Sequence, residues 1–138
     1  MAETGQTGAL GSEVGTAISA GTAGEVLLGL DVDPSPGSTS FTFDIDENHP
    51  LVTLVTMVAP SPDWFIGVAD VNLYEGGEWV NEVSFSLAPW DAGTDSGTSY
   101  TAEDQATEPP SDISAIGGSP LSRSVIPVPE VSVNPCRS

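Results

Sequence analysis

Alternating apolar and polar side chains mark the middle of the chain. Residues 41–45 (Phe-Thr-Phe-Asp-Ile) and 83–87 (Val-Ser-Phe-Ser-Leu) carry an apolar side chain at every second position, which is the period of a strand with one buried face. Residues 51–58 are mostly apolar and rich in β-branched side chains, and this favours a strand with both faces largely covered. The pattern predicts an all-β protein.

Turn signals separate these runs. Residues 72–87 contain the pair Gly76-Gly77, which predicts a hairpin that turns at the two glycines. Residues 33–37 (Asp-Pro-Ser-Pro-Gly) predict a second turn, just before the first alternating run. Strands that follow one another through short turns favour antiparallel pairing.

The two ends of the chain carry weaker signals. The first forty residues are small and polar, and residues 11–30 fit either a short helix or a strand around Val26. Residues 125–133 alternate again, but Pro127 and Pro129 lack an amide donor and confine this predicted last strand to a sheet edge. We therefore divide the chain into a partly ordered amino-terminal segment (1–40), a β-sandwich domain (41–133) and a carboxy-terminal tail (134–138).

The composition is strongly acidic. Twenty Asp and Glu residues stand against two arginines and no lysine, for a formal charge of −18. Because nucleic acids and anionic membranes are bound through Lys and Arg, we exclude nucleic acid as a partner. The acidic residues are spread along the whole chain, so we favour a salt-adapted surface over the capture of polycations or calcium by the whole surface.

The sequence lacks the residue combinations that most catalytic mechanisms require. The 138 residues are 38% apolar, enough for one domain with a core. Cys136 has no second cysteine and His49 no second histidine, which excludes an internal disulfide and the usual zinc sites. Serines are plentiful, but without a base partner a hydrolytic triad has no support. We expect no enzyme activity, no span of a bilayer and no signal peptide in this sequence.

Two distant segments have the composition of metal-binding loops. Residues 60–64 (Pro-Ser-Pro-Asp-Trp) contain Asp63, and residues 89–97 (Pro-Trp-Asp-Ala-Gly-Thr-Asp-Ser-Gly) contain Asp91 and Asp95. Calcium takes about six to eight oxygen ligands, often from aspartates on flexible loops. Positive φ at Gly93 and Gly97 would bring the carboxylates of the second segment together, and Trp64 and Trp90 would anchor the loops in the core.

Two observations keep a simpler interpretation open. Aspartates cap turns in many proteins that bind no metal, and the ordered ligand spacing of an EF-hand is absent. The metal interpretation requires the two loops to meet. If the strands at 51–58 and 80–87 run toward the same end of a sandwich, the loops that follow them emerge side by side.

At these same residues the chain resembles a known family. Residues 59–68 (Ala-Pro-Ser-Pro-Asp-Trp-Phe-Ile-Gly-Val), then Trp79, then residues 89–97 are similar to the spondin domain, the amino-terminal module of F-spondin and mindin. The resemblance implies an antiparallel β-sandwich like that of calcium-dependent lipid-binding domains, with a calcium ion at one end. The ligands that it implies are Asp63, Asp91 and Asp95.

The chain also departs from the family pattern in one respect. Spondin domains normally begin with further strands ahead of a segment like residues 2–5, and we expect this chain to be a short or truncated prokaryotic-type member. Without replacements for those strands, one edge of the sandwich would be open to pairing.

Three functions follow as hypotheses. The first is a secreted, extracellular calcium-binding module for adhesion or matrix assembly, with a cell-surface protein or glycan as partner. The alternative is a calcium-dependent glycan-binding module, in which Tyr74 or Tyr100 stacks on a sugar. A hydrolase with paired aspartates is the weakest hypothesis, because no environment for a general acid is evident. One further calcium ligand is expected from this set: Glu103, Asp104, Glu108 and Asp112.

Overall fold

The computed structural model describes residues 1–34 and 37–117 and the strand at 130–133. Two compact units divide the chain. The β-unit comprises Met1–Gln6 and Leu51–Ser138, and the amino-proximal unit comprises Thr7–Pro50. The elements in the described residues are α1 (Gly8–Ser19), β1 (Leu51–Met57), β2 (Trp64–Asn72), β3 (Tyr74–Glu75), β4 (Glu78–Trp79), β5 (Val83–Ser86), β6 (Ala88–Asp91), β7 (Ser114–Ala115) and β8 (Glu130–Val133).

The β-unit is built from antiparallel sheets. One sheet has four strands in the order β1-β2-β6-β7, and the pairs β3-β4 and β5-β8 form two smaller sheets. Every pairing among the described strands is antiparallel. The prediction of an all-β, sandwich-like fold is confirmed, and the predicted strand at 51–58 is β1.

The expectation that this strand is covered on both faces is wrong. β1 lies at the end of the strand order and pairs with β2 alone among the described strands. Leu51 is 53% exposed and Val55 37% exposed. An apolar, β-branched run indicates a strand but does not tell a central strand from an edge strand.

The hairpin at Gly76-Gly77 is confirmed. Both glycines have positive φ, 62° and 86°, as the central pair of a tight two-residue turn between β3 and β4 requires. The segment after it departs from the prediction, because β5 pairs with β8 and not within that hairpin. β8 confirms the predicted last strand. Pro127, Pro129, Cys136 and the predicted tail at 134–138 lie outside the described residues.

A small core lies under the sheets of the β-unit. Trp64 is 3% exposed, Leu73 is fully buried and Leu87 is 3% exposed. Trp64, the first residue of β2, thus anchors the loop before it, as the sequence predicted. Trp90 in β6 is only half-buried.

A β-bulge interrupts the pairing of β1 with β2. Val52 pairs with Val71 and Leu54 with Val68, so that Thr53 lies opposite two residues, Ala69 and Asp70. Asp70 has φ 59°, and its N–H donates to the Thr53 hydroxyl at 3.2 Å. The left-handed residue of such a bulge is usually glycine, because a side chain there is strained.

We expect Asp70→Gly to raise the free energy of unfolding by about 0.5–1 kcal/mol, since the relieved strain outweighs the added freedom of the unfolded chain. Urea unfolding of the full chain measures this change. Ala69→Gly is the control, because it adds the same backbone freedom to the unfolded chain at the neighbouring residue, which does not have a positive φ. Equal effects of the two substitutions would show that Asp70 is not strained.

The amino-proximal unit contains α1, followed by a first arm (residues 23–32) and a second arm (residues 37–46), neither of which contains a helix, strand, turn or bend. The helix covers Gly8–Ser19, and none of its residues is buried. The helix or strand expected around Val26 does not form, since residues 23–32 contain neither. Within the described part of the chain, no helix combines the length and apolar character needed to cross a bilayer. Asp33 and Pro34 lie in a bend at the predicted turn.

The strand predicted at 41–45 is wrong. These residues have no strand partner among the described residues, although Phe43 and Ile45 are half-buried as the alternation predicts. Alternation reports which side chains are covered, whereas a strand also needs a ladder of hydrogen bonds. The β-unit resumes at Leu51 and also takes in Met1–Gln6, whereas the sequence placed the domain boundary at residue 41.

Candidate metal centre

The two candidate loops meet at one end of the four-stranded sheet. Trp64, the first residue of β2, pairs with Asp91, the last residue of β6. Because these strands are antiparallel neighbours, the loop before β2 and the loop after β6 leave the sheet together. The expectation that the loops lie side by side is therefore met. The strand that leads into the second loop is β6 (88–91), however, and not the run at 80–87.

Asp63 is the centre of this junction. It is fully buried, and its Oδ2 accepts hydrogen bonds from the Thr94 N–H at 2.6 Å, the Thr94 hydroxyl at 3.1 Å and the Asp95 N–H at 3.0 Å. Its main-chain oxygen also accepts from the Ala92 N–H at 3.3 Å. One carboxylate oxygen thus joins the first loop to the second.

The other carboxylate oxygen of Asp63 has no such partner. Oδ1 is buried, and no described residue donates a hydrogen bond to it. A buried carboxylate oxygen without a donor is costly, since it has lost its water and received nothing in return. A bound cation is one of the few groups that satisfies such an atom.

Asp91 and Asp95 cap their own loop. Asp91 Oδ1 accepts from the Gly93 N–H at 2.7 Å, and Asp95 Oδ1 accepts from the Gly97 N–H at 2.6 Å. Asp95 Oδ2 accepts from the Gln105 N–H at 2.8 Å. The simpler interpretation of the sequence, that aspartates stabilise these turns, therefore holds for both residues whether or not a metal binds.

The oxygen chemistry suits calcium, but the carboxylates are not gathered round one point. Among the described residues, no three side chains of His, Cys, Asp or Glu are grouped so that they could hold a metal ion. Asp63 offers a free oxygen, whereas Asp91 and Asp95 face their own backbone. The assignment of these three residues as ligands stays a prediction.

Among the four further carboxylates that the sequence offered, Asp104 stands out. It lines one cavity together with Glu3, Ser61 and Asp95, and its side chain makes a smaller contribution to lowering the pKa of Asp95. The sequence analysis missed Thr94, which bonds Asp63 through both its N–H and its hydroxyl. A main-chain donor carries no signal of its own in a sequence, so only the register of β2 and β6 reveals it.

Gly93 and Gly97 serve different needs. Gly93 has φ 75°, as predicted, and a Cβ there would lie 2.8 Å from the main-chain carbon of Ser111 and closer still to its oxygen. Gly97 does not have positive φ, so that expectation is wrong. A Cβ at Gly97 would instead lie 2.7 Å from Pro62 Cγ and 2.8 Å from Ala102 Cβ. Gly97 is required for the close packing of the two loops.

The loop hydrogen bonds make stability depend on acid pH. Donation from the Gln105 N–H, and then from the Gly97 N–H, holds the pKa of Asp95 below its usual value. The stability that Asp95 contributes is therefore present above the ordinary aspartate pKa of about 3.9 and is lost as the pH falls through the lower pKa of the folded state. We expect Asp95→Asn to flatten the decline of the unfolding free energy between about pH 5 and pH 2. Urea unfolding at several pH values measures this slope, and Asp112→Asn, an exposed aspartate, should leave it unchanged.

Both tyrosines proposed for sugar stacking are engaged within the molecule. Tyr100 meets the Trp64 ring edge-on with centroids 5.4 Å apart, and burial raises the pKa of its hydroxyl. Tyr74 lies against Trp79 with centroids 4.9 Å apart. Both side chains are half-buried, and stacking of a sugar on either ring stays a prediction.

Comparison with known protein families decides the identity. The family model Spondin_N matches residues 1–125, which include both loops, the whole amino-proximal unit and most of the β-unit. The chain belongs to the spondin N-terminal domain family. The resemblance that the sequence carried at residues 59–68 and 89–97 is thereby confirmed, and this spondin domain extends well beyond those two segments.

Curated relatives agree with the family model. The spondin domain is 35% identical over 120 residues to Spondin-2 of Homo sapiens, covering 86% of this chain and 36% of that protein. It is 40% identical over 88 residues to Spondin-2 of Rattus norvegicus, covering 64% and 27%. With Spondin-1 of Homo sapiens it shares 42% identity over 82 residues, covering 58% and 10%. The chain thus spans about a third or less of the length of these relatives.

Proposed function

We propose that this spondin domain is a non-enzymatic, calcium-binding module of an extracellular matrix or adhesion protein. The observation that carries the calcium part is the buried Oδ1 of Asp63, which lacks a donor among the described residues. A divalent cation would satisfy this oxygen and offset the charge of the nearby aspartates. Membership of the Spondin_N family supports the extracellular part.

Asp63, Asp91 and Asp95 are the proposed ligands. Asp63 already joins the two loops through Oδ2, so a cation at its Oδ1 would sit where both loops contribute. Asp91 accepts its hydrogen bond through Oδ1, which leaves Oδ2 for a metal. Bound calcium supplies charge neutralisation and oxygen coordination. This chain's residues orient the loops, so that a partner meets them in one shape.

A calcium titration tests the proposal. Chelator-stripped protein should gain about 2.7 kcal/mol of unfolding free energy when free calcium reaches a hundredfold excess over its dissociation constant. Asp91→Asn should lose most of this gain, because the amide keeps the bond from Gly93 but removes a charged ligand. Scanning calorimetry with and without calcium measures both proteins.

The control variant is Asp44→Asn, which removes the same charge from an exposed position in the amino-proximal unit. It should respond to calcium like the parent. An equal gain in the parent and in Asp91→Asn would refute the site, and the lack of any gain in the parent would refute calcium binding altogether.

The adhesion part needs a separate measurement. Retention of the labelled domain on extracellular matrix should require calcium and fall in Asp91→Asn but not in Asp44→Asn. Retention that is unchanged by chelator would separate adhesion from the metal site. Turnover of ester or phosphate substrates that depends on Asp63 would instead support the hydrolase hypothesis.

A further inference from the structure

Exposed apolar side chains are concentrated in the amino-proximal unit. Seven of the ten large apolar residues that are most open to solvent in the described chain belong to it. Four of them alternate along one arm and form what we call the apolar stripe: Val26 (36% exposed), Leu28 (72%), Leu30 (71%) and Val32 (44%). A contiguous exposed stripe of this kind marks an interaction surface more often than scattered single residues do.

The backbone of the same arm is available as well. Residues 23–32 contain no helix, turn or bend, and no backbone hydrogen bond joins them to any other described residue. Other residues of the unit come near this arm at three points. A Cβ added on Gly29 would lie 3.5 Å from the Phe41 ring, and a Cβ added on Gly24 would lie 3.3 Å from His49 Cβ. A Cβ added on Gly37 would lie 3.5 Å from Val32 Cγ1. An extended segment with alternating apolar side chains and free main-chain groups has what a partner needs to add a strand.

The negative charge around the apolar stripe indicates the charge that a binding partner would carry. Residues 7–50 contain seven carboxylates and no Lys or Arg. Two of these carboxylates, Glu25 and Asp31, are exposed on the stripe's own arm, and a third, Asp33, is exposed immediately after it. A second copy of this chain would bring like charges together, which is destabilising across paired strands. A partner with lysine or arginine would complement them.

We propose that the apolar stripe binds an extended, basic segment of another protein by strand addition. Alternate apolar side chains of that segment contact Leu28 and Leu30, and its Lys or Arg side chains pair with Glu25, Asp31 and Asp33. The main-chain groups of residues 23–32 supply the hydrogen bonds. This surface lies in a different unit from Asp63 and does not depend on calcium, so it stands or falls apart from the proposed metal site.

Synthetic peptides test the proposal on the full chain. An octapeptide that alternates Leu and Lys should bind, and fluorescence anisotropy measures its affinity. A Ser-Lys octapeptide reports attraction by charge alone and should bind at least about tenfold more weakly, because it lacks the apolar contacts. A Leu-Glu octapeptide should not bind. Methylation of alternate peptide amides should abolish binding of the Leu-Lys peptide if a strand is added.

Two double variants with unchanged charge separate the stripe from general attraction. Leu28→Ser/Leu30→Ser should weaken Leu-Lys binding by about tenfold or more. Leu51→Ser/Ile113→Ser, which changes residues 53% and 62% exposed in the β-unit, should bind like the parent. Circular dichroism confirms that both variants fold.

Three results would overturn the proposal: equal binding by both double variants, equal binding of the Leu-Lys and Ser-Lys peptides, or a concentration-dependent dimer in light scattering that Leu28→Ser/Leu30→Ser abolishes. The last result would assign the stripe to a second copy of the chain.

Discussion

Gly93→Ala is expected to lower the free energy of unfolding by about 2–4 kcal/mol, from the left-handed φ and from overpacking. Gly93 has φ 75°, and its added Cβ would press against the main chain of Ser111, with 2.8 Å to the carbon and 3.2 Å to Cα. The Ser111 N–H also donates to the Gly93 carbonyl at 2.8 Å, so the two segments cannot move apart without losing that bond. Urea unfolding in the presence of chelator measures the change without a contribution from metal.

The matched control for this prediction is Gly76→Ala. Gly76 has a similar φ of 62°, yet nothing lies within 4 Å of a Cβ built on it. It should lose only the left-handed penalty, about 1 kcal/mol. The difference between the two substitutions therefore measures the crowding at Ser111, and equal losses would show that the second loop is not held against that segment.

Asp63→Ala is the second substitution with a large expected effect. It removes the acceptor for the N–H groups of Thr94 and Asp95, and each buried donor left without a partner costs about 1–3 kcal/mol. We expect a loss of about 2–6 kcal/mol in chelated protein by that count. Guanidinium unfolding followed by tryptophan fluorescence measures it, since Trp64 lies next to the change.

Two further variants show which atoms of Asp63 matter. Asp63→Asn keeps one oxygen for the same donors and should cost less than Asp63→Ala. Thr94→Val removes only the hydroxyl bond at 3.1 Å and should cost about 1 kcal/mol. If Asp63→Ala cost no more than Thr94→Val, Oδ2 would not be the atom that joins the two loops.

Local signals predicted much of the β-unit. The β-branched run at β1 and the pair Gly76-Gly77 each determine the conformation of only a few neighbouring residues. The predictions of a strand and of a hairpin turn at these positions are both confirmed. The exposure of β1 could not be predicted, because a run of apolar residues does not say how many neighbours the strand has. β6 contains Pro89 and shows no alternation, so its place between β2 and β7 comes from tertiary pairing alone. Residues 41–45 show the reverse. Their apolar side chains alternate with polar ones, but no ladder of hydrogen bonds pairs them with another strand among the described residues.

The candidate site, like the β-unit, could be predicted from the sequence only in part. Aspartates marked both loops and glycines marked the second, and the expectation that the loops meet came from strand directions. The burial of Asp63 and the missing donor at its Oδ1 depend on the register of Trp64 with Asp91, which the sequence does not state. The reason for Gly97 was also hidden, because close packing against Pro62 involves a segment that lies far away in the chain.

The caps that Asp91 and Asp95 form on their own loop have a consequence for biosynthesis. Because main-chain N–H groups already hold both turns, the loop is shaped before any ion arrives. If calcium binds as we propose, a chain made where free calcium is scarce would mature first and take up the ion on reaching a calcium-rich compartment.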